Sequence, residues 1–231
     1  MRLLIIIALA ALTAACGQPR PAKVDPAFGD NVRAYLMAHP EILEDLTVAL
    51  KEKKSREAIE PVREQLERDP RDQVLNPNGK ITVVELVDYN CGYCKVLAPE
   101  VLELARKHPD VRFVFKDMVI FGETSEYAAA ATFLAKSPEQ FVALHSAFMA
   151  ARPLTDATAT RIMIANGLDP EAVRREQLSP ARKGYLQAVR QLALEMKLEG
   201  TPAFIVGNTL IPGADPEALK AAIAAELKRK T

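Results

Sequence analysis

Apolar and polar positions change rhythm several times along the 231-residue chain. After Met1-Arg2, residues 3–12 are an unbroken apolar run. From residue 27 to 72 apolar residues are thin and helically spaced. Phe28, Val32, Tyr35 and Leu36 form one stripe, and Ile42, Leu43, Leu46, Ala49 and Leu50 a second. Ala58, Ile59, Val62 and Leu66 continue it, and Pro61 is predicted to kink or break the helix. Ile81 to Val87 is β-branched and mostly apolar, which predicts a buried strand. Residues 94–107 read as a helix and Val111 to Phe115 as a second strand. Thr124 to Glu199 is Ala-rich and helical, with starts near Ser125, Ser137-Pro138, Thr155, Asp169-Pro170 and Ser179-Pro180. Residues 203–206 and 209–211 flank Gly207-Asn208, a hairpin signal. Asp215-Pro216 opens a terminal helix.

This order predicts an α/β domain with a large helical insertion at about 124–199. Asn76-Pro77-Asn78-Gly79 is a dense turn signal and sets its start at residue 76, so the domain runs over 76–231. Residues 27–75 form an N-terminal helical region, denser in charge than the chain-wide 26%. Its narrow apolar stripes need something to lie against, either the main domain or further copies of the chain through residues 27–72.

Lys+Arg and Asp+Glu are both 30, so the formal charge is zero and gives no basic excess for nucleic acid. The charged start, apolar run and small residues before Cys16 form a secretory signal over residues 1–15. Ten apolar residues span only about 15 Å as a helix, too short for a bilayer core of about 30 Å. Cys16 resembles the acylated cysteine of a bacterial lipobox, although Thr13 stands where Leu is usual. The alternative is an ordinary cut near Ala15 that leaves a free protein. Residues 16–26, with Pro19 and Pro21, read as a tether. Export places the protein in the cell envelope, where oxidised thiols persist. Gly17, in place of Asp, favours the outer membrane by analogy with lipoprotein sorting.

The other two cysteines form Cys91-Gly92-Tyr93-Cys94, directly after a strand and at a helix start. A helix N-terminus presents free N–H groups and a positive dipole end, which favour a thiolate at Cys91. The thiolate is the form that attacks disulfides. Cys94, one turn further in, is placed to attack a mixed disulfide at Cys91. Gly92 admits a close substrate, and Tyr93 offers an aromatic face. A zinc half-site would need two more ligands, and His39, His108 and His145 are scattered. A monovalent copper site needs fewer soft ligands and stays open as an alternative. A purely structural disulfide would close too small a loop to stabilise much.

Residues Val84 to Lys95 resemble the active-site segment of the DsbA-like, thioredoxin-fold thiol–disulfide oxidoreductases. Pro99 resembles the proline that kinks their active-site helix, and Glu85 stands where they bury an acid beneath the dithiol. Gly200-Thr201-Pro202-Ala203-Phe204 resembles their cis-proline loop. The likeness covers residues 76–230. The N-terminal region is similar to that of a subgroup related to suppressor-of-copper-sensitivity proteins, in which it supports oligomers.

The resemblance implies a thioredoxin fold in which Cys91 attacks, Cys94 resolves and Glu85 relays a proton. Thr201-Pro202 would dock substrate backbone. It implies no cofactor and no metal. Its partners would be cysteine-containing envelope proteins and a membrane redox protein that resets the dithiol. Gly92-Tyr93 differs from the Pro-His of strongly oxidising members and is similar to the dipeptide of periplasmic isomerases, so a less acidic Cys91 is expected. Oxidase and isomerase or reductase directions both remain open.

Overall fold

The computed structural model describes residues 25–230. The predicted signal and Cys16 lie outside the described residues. The chain divides into two units, one ending at Val48 and the other beginning at Ala49.

In the first unit α1 (Pro26–Ala38) starts where Asp25 accepts the Ala27 N–H at 3.0 Å, with Pro26 in the first turn. It ends at His39, whose ring packs on Tyr35 and whose Nδ1 lies 3.0 Å from Glu41. Then α2 (Glu41–Ile59) begins after Pro40. Phe28, Val32, Tyr35 and Met37, with Leu43, Leu46 and Val48, are 41–75% exposed. Of the predicted stripe, Phe28, Val32, Tyr35, Leu43, Leu46 and Leu50 are exposed, and Leu36 and Ile42 are half-buried.

The second unit starts earlier than the turn at 76. Its first segment is the end of α2, a 3₁₀ turn at Glu60–Val62 around Pro61, and α3 (Arg63–Glu67). Ile59, Val62 and Leu66 are buried with Val84, Leu86 and Val114. Next comes β1 (Gln73–Leu75), which pairs antiparallel with β3. Residues 49–75 fall in the larger unit, ahead of the turn at Asn76. Lys116 and Asp72 seal the junction as a buried ion pair at 2.6 Å, and the Tyr185 hydroxyl donates to Asp72 at 2.8 Å. Arg63 donates to the Gly207 carbonyl at 3.1 Å. A three-residue strand is too short to show an alternating pattern.

The sheet has the order β1-β3-β2-β4-β5. At its centre β2 (Ile81–Val87) and β3 (Val111–Asp117) run parallel, joined by α4 (Gly92–Lys107) as the crossover. The hairpin β4 (Ala203–Val206) and β5 (Thr209–Pro212) adds to the other side of β2, antiparallel to it. The strand β3 is two residues longer than expected. Lys116 and Asp117 disguise its end: both are buried, and Asp117 meets Arg182 at 2.5 Å.

Between β3 and β4 lies the helical insertion: α5 (Glu123–Phe133), α6 (Pro138–Ala150), α7 (Asp156–Ala165), α8 (Pro170–Leu178) and α9 (Pro180–Glu195). Ser137, Thr155, Asp169 and Ser179 cap the last four at the predicted positions. The terminal helix α10 (Pro216–Lys230) closes the chain. One sheet face packs Val84, Leu86, Val114 and Ile205 against the insertion, with Tyr127, Tyr185 and Val189. The other packs Ile81, Val83, Phe113 and Phe204 against Leu97 and Val101 of α4 and Leu219 and Ile223 of α10. Strand alternation puts Glu85 on this second face, in register with Phe115 and Phe204.

Candidate active site

The strand β2 ends at Val87, and four residues later Cys91 caps α4. Its backbone is extended (φ −70°, ψ 119°), and its Sγ accepts the Cys94 N–H at 3.4 Å. The helix therefore starts at Gly92, two residues before the sequence reading. Inside it Pro99 has no N–H to offer the Lys95 carbonyl, one turn back. The Cys91 Sγ also lies 3.1 Å from the Thr201 carbonyl, and the Thr201-Pro202 peptide bond is cis. Cys91 and Cys94 are free thiols, 2% and 0% exposed. Only Cys91 lines the cavity of about 520 Å³ that opens above them.

The two thiols are driven in opposite directions. The Cys94 thiol and the N–H groups of Cys94 and Tyr93 stabilise negative charge on Cys91 and bring its pKa down to about 6, against the opposing cost of burial. The same hydrogen bond, then burial and Glu85, pushes Cys94 far up. Glu85 is 1% exposed, and neither carboxyl oxygen has a hydrogen-bond partner. Burial first, and the charge on Cys91 second, raise it to about 8. His145 is packed in the core: burial lowers it to about 4, and its Nδ1 lies 3.2 Å from the Tyr89 hydroxyl.

Around Cys91 the cavity is lined by Gly92, Tyr93, Val96, Ile120, Phe121 and Thr201, among others. Gly92 has open space where a Cβ would stand, and Tyr93 is 72% exposed, so neither serves internal packing. Ile120, Phe121 and the buried Asp88 escaped the sequence reading. Two adjacent large apolar residues before Gly122, where a loop was due, were the available signal.

These features meet those of known proteins. Residues 82–224 match the DSBA-like thioredoxin domain, and residues 27–57 the Copper resistance protein ScsC N-terminal domain. The chain belongs to the DsbA-like thioredoxin family. A thioredoxin-like oxidoreductase from Silicibacter pomeroyi DSS-3 superposes with a TM-score of 0.66 at 34% identity, covering 72% of this chain and 98% of that one. Proteus mirabilis ScsC has a TM-score of 0.67 at 28% identity, covering 89% and 100%. Disulfide bond formation protein D of Bacillus subtilis (strain 168) is 26% identical over 167 residues, 66% of this chain and 75% of its own. This DsbA-like chain is accordingly a thiol–disulfide oxidoreductase.

Within that chemistry, the acidity of Cys91 lies between about 3.5 for the strong oxidant of the family and about 7 for thioredoxin. Its lowered pKa stabilises the reduced folded protein, fully above pH 9 and progressively less as pH falls through about 6. The ultraviolet absorbance of the reduced protein's thiolate should titrate near pH 6. Cys94→Ala, which removes the largest stabilising contact, should raise that midpoint by about one pH unit or more. A wild-type midpoint near 9 contradicts this electrostatic account.

Proposed function

We propose that this protein is an exported disulfide isomerase of the cell envelope, acting on cysteine-containing proteins there. The observation that carries the reading is the pairing of an acidic Cys91 at the helix start with a buried, protonated Cys94 behind it. The Cys91 thiolate attacks one sulfur of a substrate disulfide. That bond breaks, a Cys91–substrate disulfide forms, and the other substrate sulfur leaves as a thiolate. A second substrate thiolate can then displace Cys91, giving a rearranged disulfide with no net redox change.

Cys94 provides the escape route. Once Cys91 is in a mixed disulfide its charge is gone, and with it one of the two causes that hold Glu85 protonated. Glu85 then gives up its own proton to solvent, its carboxylate takes the Cys94 proton, and the Cys94 thiolate attacks the Cys91 sulfur, forming the Cys91–Cys94 disulfide and releasing the substrate sulfur as a thiolate. The oxidised pair is reset by a membrane redox partner. Thr201 and Pro202 meet the substrate backbone beside Cys91, and Gly92 and Tyr93 its side chains. The dipeptide Gly92-Tyr93 and the intermediate acidity of Cys91 favour shuffling over strong oxidation.

The N-terminal stripe supports assembly into a homo-oligomer, which would hold a misfolded chain among several dithiols. Exposed apolar residues from Phe28 to Leu50, within residues 27–72, support this assembly. Residues 1–16 support export and acylation of Cys16 at the outer membrane. Among the described residues no helix is long and apolar enough to cross a membrane.

In refolding of a scrambled-disulfide protein, wild type should restore activity and Cys91→Ser should not. Cys94→Ser should accumulate mixed disulfides with envelope proteins. Glu85→Gln should slow release of a trapped substrate about a hundredfold at neutral pH, the scale of a lost general base. Full refolding by Cys91→Ser ends this reading. Native mass spectrometry of envelope-purified protein should show a multiple of the chain, each copy lengthened by lipid at Cys16. An unmodified monomer refutes both assembly and anchor.

A further inference from the structure

The crossover helix α4 lies beside α6, and a groove stays open between them. Pro99 and Leu102 of α4 face Ser146, Met149 and Ala150 of α6 across a space of about 560 Å³. Ser146, Met149 and Ala150 stand at i, i+3 and i+4, so one face of α6 forms the wall. The short side chains of Ser146 and Ala150 leave the space unfilled. Past Leu102 the groove runs on toward Leu75 as a further cavity of about 480 Å³. At its other end Val96, 70% exposed, lines both this groove and the Cys91 cavity. A chain bonded to Cys91 can therefore pass over Val96 into the groove.

Two cations stand at that end. Lys95 is 7% exposed, and its ammonium donates to the carbonyl of Ala151, the C-cap of α6, at 2.5 Å. That bond uses one of its three N–H groups. Arg152 is exposed and, among the described residues, makes no hydrogen bond or ion pair. Burial first, and the Arg152 charge second, lower the Lys95 pKa, so the two cations repel each other. Among the described residues no acid lines this part of the groove. Asp88 favours the Lys95 charge, but its carboxylate is taken up by the N–H groups of Asn90, Ile120 and Phe121 and by the Ser125 hydroxyl. Glu199 lies on the Cys91 cavity instead, and Glu103, further along the groove, is paired with Arg106 and Lys107. Two unpaired like charges above an apolar groove are stabilised by an anion that carries an apolar group.

The helix sets the spacing. At about 1.5 Å per residue along α4, Lys95 lies about 6 Å from Cys91 and Leu102 about 16 Å. An extended chain rises about 3.3 Å per residue, so about two residues reach Lys95 and about five reach Leu102. We propose that the groove between α4 and α6 is a binding subsite for the polypeptide joined to Cys91, in which Lys95 and Arg152 take an acidic residue and Leu102 and Met149 an apolar residue beyond it. The proposal rests on attack by Cys91 on polypeptide disulfides. A free amphipathic carboxylate shares this chemistry, and the continuity through Val96 favours a chain already held at Cys91.

The test uses symmetric peptide disulfides with Glu two residues and Leu five residues from the cysteine on both sides, and a matched peptide with Gln for Glu. Wild type should show a kcat/KM about tenfold higher for the Glu peptide, through KM, the scale of a hydrogen bond between charged groups. Raising salt to about 1 M should shrink that ratio. Arg152→Glu, which sets a carboxylate beside Lys95, should equalise the two peptides. Replacing the peptide Leu by Ser should raise KM in wild type, and Ser146→Phe, which fills the groove, should remove that dependence. Equal kcat/KM for both peptides in wild type overturns the proposal, as does a preference kept in Arg152→Glu or a Leu dependence kept in Ser146→Phe. In Cys94→Ser, a mixed disulfide with the Glu peptide should shift the methyl NMR signals of Leu102 and Ala150. If decanoate shifts them and the bound peptide does not, the occupant is a free amphipathic carboxylate and the proposal falls. No exchange with either peptide would instead sink the underlying reading.

Discussion

Three acidic groups crowd the junction of β2 and α4, and the site accommodates one negative charge. Cys91, Cys94 and Glu85 are all buried, and each raises or is raised by another. Desolvation opposes every one of their charged forms. Cys91 is favoured because it sits at the helix cap, with the Cys94 N–H and thiol turned toward it. The other two are held neutral in consequence. The chemistry of the dithiol follows from this unequal sharing, because moving the charge off Cys91 changes what Cys94 and Glu85 can do.

The fold supplies the crowding. Parallel pairing of β2 with β3 requires a crossover, and α4 is that crossover, so its N-terminus must sit at the end of β2. Strand alternation then places Glu85 under α4, while the hairpin on the far side of β2 brings Thr201 to within 3.1 Å of Cys91. Charges elsewhere in the core are treated differently. Lys116 with Asp72, and Arg182 with Asp117, are buried as pairs, and Asp88 is met by four donors. Glu85 alone of these carboxylates has no hydrogen-bonding partner, which leaves it poised to respond to the charge on Cys91.

Much of this was legible before the fold was seen. Ile81 to Val87, the helix caps at Ser137, Thr155, Asp169 and Ser179, and the hairpin at Gly207-Asn208 carry local signals, and each element stands where those signals put it. The dithiol was readable from its motif spacing, and Pro202 from the resemblance to the family's cis-proline loop. What stayed hidden depends on partners distant in sequence. Lys116 and Asp117 read as the end of a strand until Asp72 and Arg182 neutralise them. The three-residue β1 has no pattern of its own, and the buried stripe of Ile59, Val62 and Leu66 looks like a continuation of the exposed one before it. Ile120 and Phe121 lie 32 and 33 residues after Asp88, and nothing local links them to it.

The account turns on Cys91 being acidic to an intermediate degree, because stabilising its thiolate stabilises the reduced pair and makes the disulfide more oxidising. The reduction potential of the Cys91/Cys94 couple, measured against a glutathione buffer, is the most direct test. It should fall between about −120 mV, the value of the strong oxidant of the family, and about −270 mV, that of thioredoxin. A potential at or beyond either end would contradict the account.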